Sequence, residues 1–101
     1  MREIHGKFDH PMIIDEDTSM HGMICGNTTV KDGVTLDLHG MITADLIVET
    51  GGIAHVHGMV NGKVWNKGGQ VTIHGTIDSL VEEPGSLTSI NPKSIIRDRH
   101  T

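Results

Sequence analysis

Apolar residues fall six positions apart in an unbroken series: Ile24, Val30, Leu36, Ile42, Val48, Ala54 and Val60. Around several of them the pattern alternates, as where Val34, Leu36 and Leu38 are apolar and Thr35 and Asp37 between them are polar. Alternation with a period of two sends successive side chains to opposite faces of an extended chain, so this reads as short strands and not helices. By the same rule Leu46 and Val48, Ala54 and Val56, and Val71 and Ile73 point inward. Three sixes make an eighteen, and the chain also repeats at that longer interval. The tetrad His-Gly-x-(Ile/Val) occupies residues 21–24, 39–42, 57–60 and 74–77, at spacings of 18, 18 and 17. A fixed period of this size marks a solenoid, each repeat being one turn of a coil. The predicted fold is an all-β, single-domain β-solenoid: a triangular, right-handed β-helix of about four coils of 17–18 residues with terminal caps.

The regular coils run over residues 21–90 as His21–Leu38, His39–Val56, His57–Ile73 and His74–Ile90, the third being one residue short near Lys67-Gly68-Gly69. Corners are expected at Gly22, Gly40, Gly58 and Gly75, where the missing Cβ permits a bend, and again at Asp32-Gly33, Gly51-Gly52, Gly68-Gly69 and Gly85-Ser86. Residues 1–20 do not follow the period cleanly. With Ile4, Phe8, Met12, Ile13 and Ile14 ahead of Asp15-Glu16-Asp17, they read as an N-terminal cap and partial coil. Pro84 stands where a strand can no longer donate a hydrogen bond. Residues 91–101 read as a C-terminal cap, a short strand or turn closing the far end, because a solenoid must cover its terminal coils.

Composition agrees with the period. Among 101 residues the only large rings are Phe8 and Trp65, too few for an ordinary globular core but sufficient for a narrow coil filled by aliphatic residues. The net charge of −5 argues against nucleic acid and anionic membranes as partners. Cys25 is the single cysteine, so no internal disulfide forms. No apolar run is long enough to span a bilayer and the start is unlike a signal peptide, so a cytoplasmic location is expected.

Candidate chemistry lies on the outward rows. Equivalent residues of stacked coils form ladders, here His21, His39, His57 and His74, with Met23, Met41 and Met59 beside them and Thr76 ending that row. His55 and His57 form His-x-His on one strand face, and Asp37 and His39 should stand one coil away, the weak candidates for zinc or copper ligands. A milder expectation is pH sensitivity, since protonated rings at that spacing repel. A line of exposed methionines calls for a cover, either the N-terminal segment or another protein, and an outward Trp65 suits an interface. The predicted interface is therefore Met23, His39, Met41, His57, Met59 and Trp65. No nucleophile–base set, phosphate loop or carboxylate pair is apparent. The expectation is a protein without enzymatic activity or cofactor that binds a protein partner or itself.

The segments His39–Gly52 and His57–Val64, the second containing Gly-x-Val-x-Gly-x-Val from Gly58 to Val64, resemble the repeats of bactofilins over about residues 20–90. That resemblance implies a right-handed triangular β-helix that polymerises end to end as a structural protein. The alternatives are a small immunity protein that neutralises a toxin through its acidic surface and, more distantly, a hexapeptide-repeat acyltransferase. The small second residues of that enzyme's hexapeptides are poorly matched by Cys25, Lys31, Asp37, Thr43 and Glu49.

Overall fold

The computed structural model describes residues 1–98. Every strand pairing in it is parallel, and the chain winds through about six turns. The first turn holds β1 (Arg2–Ile4), β2 (Lys7–Phe8) and β3 (Met12–Ile14). The second holds β4 (Thr18–Met20), β5 (Met23–Ile24) and β6 (Thr28–Val30), and the third β7 (Thr35–Leu38), β8 (Met41–Ile42) and β9 (Leu46–Val48). In the fourth, β10 (Ile53–Val56) leads into β11 (Met59–Asn66), and in the fifth β12 (Gln70–Ile73) leads into β13 (Thr76–Glu82). The long strands β11 and β13 each cross two faces. β14 (Leu87–Ile90) and β15 (Ile95–Asp98) make the last turn.

Three faces result. One stacks β1-β4-β7-β10-β12-β14; the second stacks β2, β5 and β8 with the starts of β11 and β13 and then β15; the third stacks β3, β6 and β9 with the ends of β11 and β13. The β-solenoid is as the sequence predicts, but it has about six turns and not four. The extra turns come from residues 2–14 and 87–98. Residues 1–20, expected as a cap and partial coil, supply β1 to β4 in register with the coils above them. Within 91–101, β15 pairs with β13, and residues 99–101 lie outside the described part.

The six-residue series is the core. Ile24, Val30, Leu36, Ile42, Val48 and Val60 are wholly buried, as are Leu38, Leu46, Val56, Val64, Ile73 and Ile77. Each such aliphatic side chain contributes about 1.5–3 kcal/mol on leaving water. Columns of like residues form because the strand registers stay fixed, Ile24↔Ile42↔Val60 inside the coil and Met23↔Met41↔Met59 outside it. Turn length varies only at the corners. Arg2 pairs with Thr18, which pairs with Leu36, then Ala54, then Val71, so the repeat is 16, 18, 18 and 17 residues along one column.

The two glycine corners have different causes. At Gly33, Gly51, Gly68 and Gly85 the backbone is left-handed, with φ of 75°, 82°, 119° and 89°, a region that side chains resist. Gly22, Gly40, Gly58 and Gly75 are not left-handed. There a Cβ would collide with the carbonyl oxygen of the corresponding glycine one coil below, Gly40 against Gly22 and Gly58 against Gly40. Close approach of stacked backbones, and not the bend itself, demands glycine in the His-Gly tetrad.

Candidate functional site

The tetrad histidines form one continuous column at a corner. His5, which the longer period does not reach, starts it, and its ring centroid lies 4.9 Å from that of His21. The next three steps are 5.0, 4.9 and 4.9 Å, with the rings of His21, His39, His57 and His74 within 6° of parallel. Partners hold the ring edges. His21 Nε2 lies 3.0 Å from Ser19 Oγ and 3.5 Å from Glu3 Oε1, and His74 Nδ1 lies 3.4 Å from the Asn91 amide. Partial burial, with His39, His74 and His55 close by, lowers the pKa of His57 from its ordinary 6.5, and the Asp37 carboxylate opposes this.

This geometry stacks rings instead of converging their nitrogens. His55 and His57 are 6.4 Å apart between centroids at 29°, and Asp37 lies in register beneath His55. Among the described residues no group of three or more His, Cys, Asp or Glu side chains could hold a metal ion. Asp37, His39, His55 and His57 thus share a corner without forming a ligand shell.

The methionine row lies on the second face, one residue past the corner glycine. Met23, Met41 and Met59 are in register but half-buried, so less of the row faces solvent than the sequence implies. The N-terminal segment does not fold over it. Asn61 Nδ2 reaches Met41 Sδ at 3.7 Å, and the Arg97 guanidinium of β15 lies 3.5 Å from Met59 Sδ and 3.4 Å from Asn61 Oδ1. Cys25, on the same side, is half-buried.

Trp65 points outward as expected, but from the third face and so away from the methionines. Its indole N–H donates to Asp45 Oδ2 at 3.1 Å, and Lys63 Nζ lies 5.4 Å from the ring centre, a cation–π contact. Asp45 also accepts the Lys63 amide at 2.8 Å, while its own amide donates to Asn27 Oδ1 at 3.0 Å. Above and below the indole stand Val81 and Ile47, then Thr29 and Ile13. Most of this second, largely apolar outer row was legible in the alternation, since Thr29, Ile47 and Trp65 each sit between two buried residues.

The two ends of the coil are the remaining features of note. At the first, Arg2 donates its amide to Asp17 and Ile4 accepts from His21, so Glu3 turns its own N–H and C=O to the outer edge of β1. At the other, Leu87 donates to Gly69 and Asn91 to Ile73, which turns Thr88 and Ile90 to the outer edge of β14. Ile4, Phe8 and Met12 are only partly buried at one end, as are Ile90 and Ile96 at the other. A hollow of about 370 Å³ opens there between Ile90, Asn91, Pro92, Ser94 and Ile96. No helix among the described residues is long and apolar enough to cross a membrane. No protein-family model matches the sequence, and neither curated proteins nor solved structures provide a match.

Proposed function

We propose that this chain is a non-catalytic assembly module, bactofilin-like in kind, that associates with copies of itself by adding coil to coil. The carrying observation is the match between its two ends. Glu3 offers an N–H and a C=O on one free strand edge, and Thr88 and Ile90 offer theirs on the other. Between stacked coils inside the chain the same positions bond to each other: Ser19, in register with Glu3, lies over Arg2 and Ile4 in this way. A second copy seated head to tail would therefore repeat the internal spacing, with Ile4 over Ile90 and Phe8 over Ile96. Partly exposed core side chains would be covered at the same time, which supplies the apolar term that strand pairing alone lacks. An unpaired parallel edge is a ready template for another strand, and neither β1 nor β14 carries a proline or a bulge that would blunt it.

Sedimentation velocity of the full chain at micromolar concentration tests this reading. Species that lengthen with concentration are expected. Glu3→Pro removes a donor that has no partner among the described residues and should arrest growth while leaving the circular dichroism unchanged. A wild-type chain that stays monomeric across that range would rule the proposal out.

A further inference from the structure

The third face carries three outward rows in strict register, and their chemistry is correlated. The middle row is apolar but for Thr29: Ile13, Thr29, Ile47, Trp65 and Val81, with Ile13 63% exposed. Two residues along each strand, at the corner, stand Asp15, Lys31, Glu49, Lys67 and Glu83, whose signs alternate without exception. Their backbones continue the ladder, since Lys31 donates to Ile14, Glu49 to Val30, Lys67 to Val48 and Glu83 to Asn66. On the other side of the apolar row lie Pro11, Asn27, Asp45 and Lys63, and in register after them the buried Ser79. Within the chain Lys31 pairs with Glu49 at 3.1 Å, while Asp15, Lys67 and Glu83 enter no ion pair among the described residues.

We infer that this face pairs with the same face of a second copy, in antiparallel fashion, about a two-fold axis that runs along the strands between β9 and β11. Rotation about such an axis keeps each position along the strand and reverses the order of coils. Every row then meets itself running the other way. An axis through a coil would set like on like, Glu49 against Glu49 and Lys31 against Lys67. An axis between coils sets opposite signs together, because neighbouring coils alternate. Between β9 and β11 it brings Glu49 to the partner's Lys67, Lys31 to the partner's Glu83 and Asp45 to the partner's Lys63. It also lays Trp65 on the partner's Ile47, at the centre of the contact, where an aromatic anchor does most. One coil lower, between β6 and β9, the corner row still matches, but Lys63 would face Pro11 and Asp45 would face Asn27. Only the first placement satisfies all three rows.

The contact is small. The four strands that overlap, about 4.8 Å apart and about five residues wide, give roughly 300 Å² per copy, below the ~800 Å² typical of a stable interface. A single pair is therefore weak and exchanging. Repeated along stacked copies it would add up through effective concentration. The pairing does not depend on contacts at the ends of the coil.

Trp65 is the sole tryptophan and reports on the contact directly. Its emission, followed in the full chain from about 1 to about 500 µM at low salt, should shift to the blue as concentration rises. The shift should vanish in about 1 M salt, where the Debye length falls to about 3 Å. Lys67→Glu should abolish it by setting a carboxylate against the partner's Glu49. The double change Glu49→Lys with Lys67→Glu should restore it, although it puts like charges side by side within each chain, a result that a role inside the chain would not produce. Sedimentation equilibrium of Glu3→Pro should show the pair without polymers. An emission that ignores concentration, a Lys67→Glu chain that behaves as wild type, or a double variant that does not respond to concentration would each overturn the inference. A wild-type chain that shows the blue shift but forms no long polymers would count against end stacking alone.

Discussion

The side-chain amide of Asn91 lies 3.4 Å from Nδ1 of His74, in the place where a sixth imidazole would stack. The column of five rings therefore ends on a neutral hydrogen-bonding group. Below it each ring stands about 5 Å from the next, which sets His57 between His39 and His74.

That crowding sets an acid limit on the fold. His57 has its pKa lowered by burial and by His39, His74 and His55, against the raising influence of Asp37. Above the ordinary value of 6.5 the ring is neutral in both states, and its contribution is fully present. As pH falls through 6.5 the unfolded chain takes the proton first, so stability declines until the folded ring protonates too. Urea midpoints measured from about pH 7.5 to about pH 5 should fall, and His57→Asn should flatten the slope. A variant with the same slope as wild type would remove His57 as its cause.

Glycines at the two corners should respond differently to alanine. At Gly58 the new methyl meets the Gly40 carbonyl of the coil below, so strands must separate, at a cost of about 1–3 kcal/mol. At Gly33 nothing lies within 4 Å of the added carbon, and only the positive φ resists it, at about 1–2 kcal/mol. Thermal melts should therefore rank Gly58→Ala below Gly33→Ala. Their difference should also show locally, as faster amide exchange at Met59, which donates to the Gly40 carbonyl across this corner.

Asn66 is wholly buried in a column that holds Ile14, Val30 and Val48 before it and the exposed Glu82 after it. Its oxygen accepts from Gly69 at 2.9 Å and Gly68 at 3.3 Å, and its nitrogen donates to Leu87 C=O and Thr88 Oγ1, both at 3.0 Å. It thereby shapes the shortened turn and ties it to β14. Asn66→Leu matches the neighbouring column in character but leaves the Gly69 amide buried and unpaired. A loss of about 1–3 kcal/mol is expected from chemical denaturation. No loss would mean that the turn holds itself.

How much could be read in advance follows from what each residue does. The aliphatic columns were plain because burial and register act together on them at every coil. His5 escaped because its coil is 16 residues long and Lys7-Phe8 follows where Met-Ile is expected. The last turn was obscured for a similar reason, with Asn91-Pro92 in place of His-Gly. Asn66 gave no signal, since a polar residue in a core column looks like an interruption until its four partners are known. The methionine row was read correctly for direction but too openly for exposure, because Asn61 and Arg97 approach it from positions that periodicity does not link.

The strand ladders join each turn of this coil to the turn before and the turn after it, at intervals of 16 to 18 residues, and a few side chains, Arg97 and Asn66 among them, reach one turn further. Among the described residues no strand pairing joins the first turn to the last. Order therefore spreads as in a zipper, and loosening begins at β1 and β15 and works inward, with β7 to β11 the last to let go. Any further turn laid on an end shifts that loosening outward, so added length acts as reinforcement for the middle without altering a single side chain there.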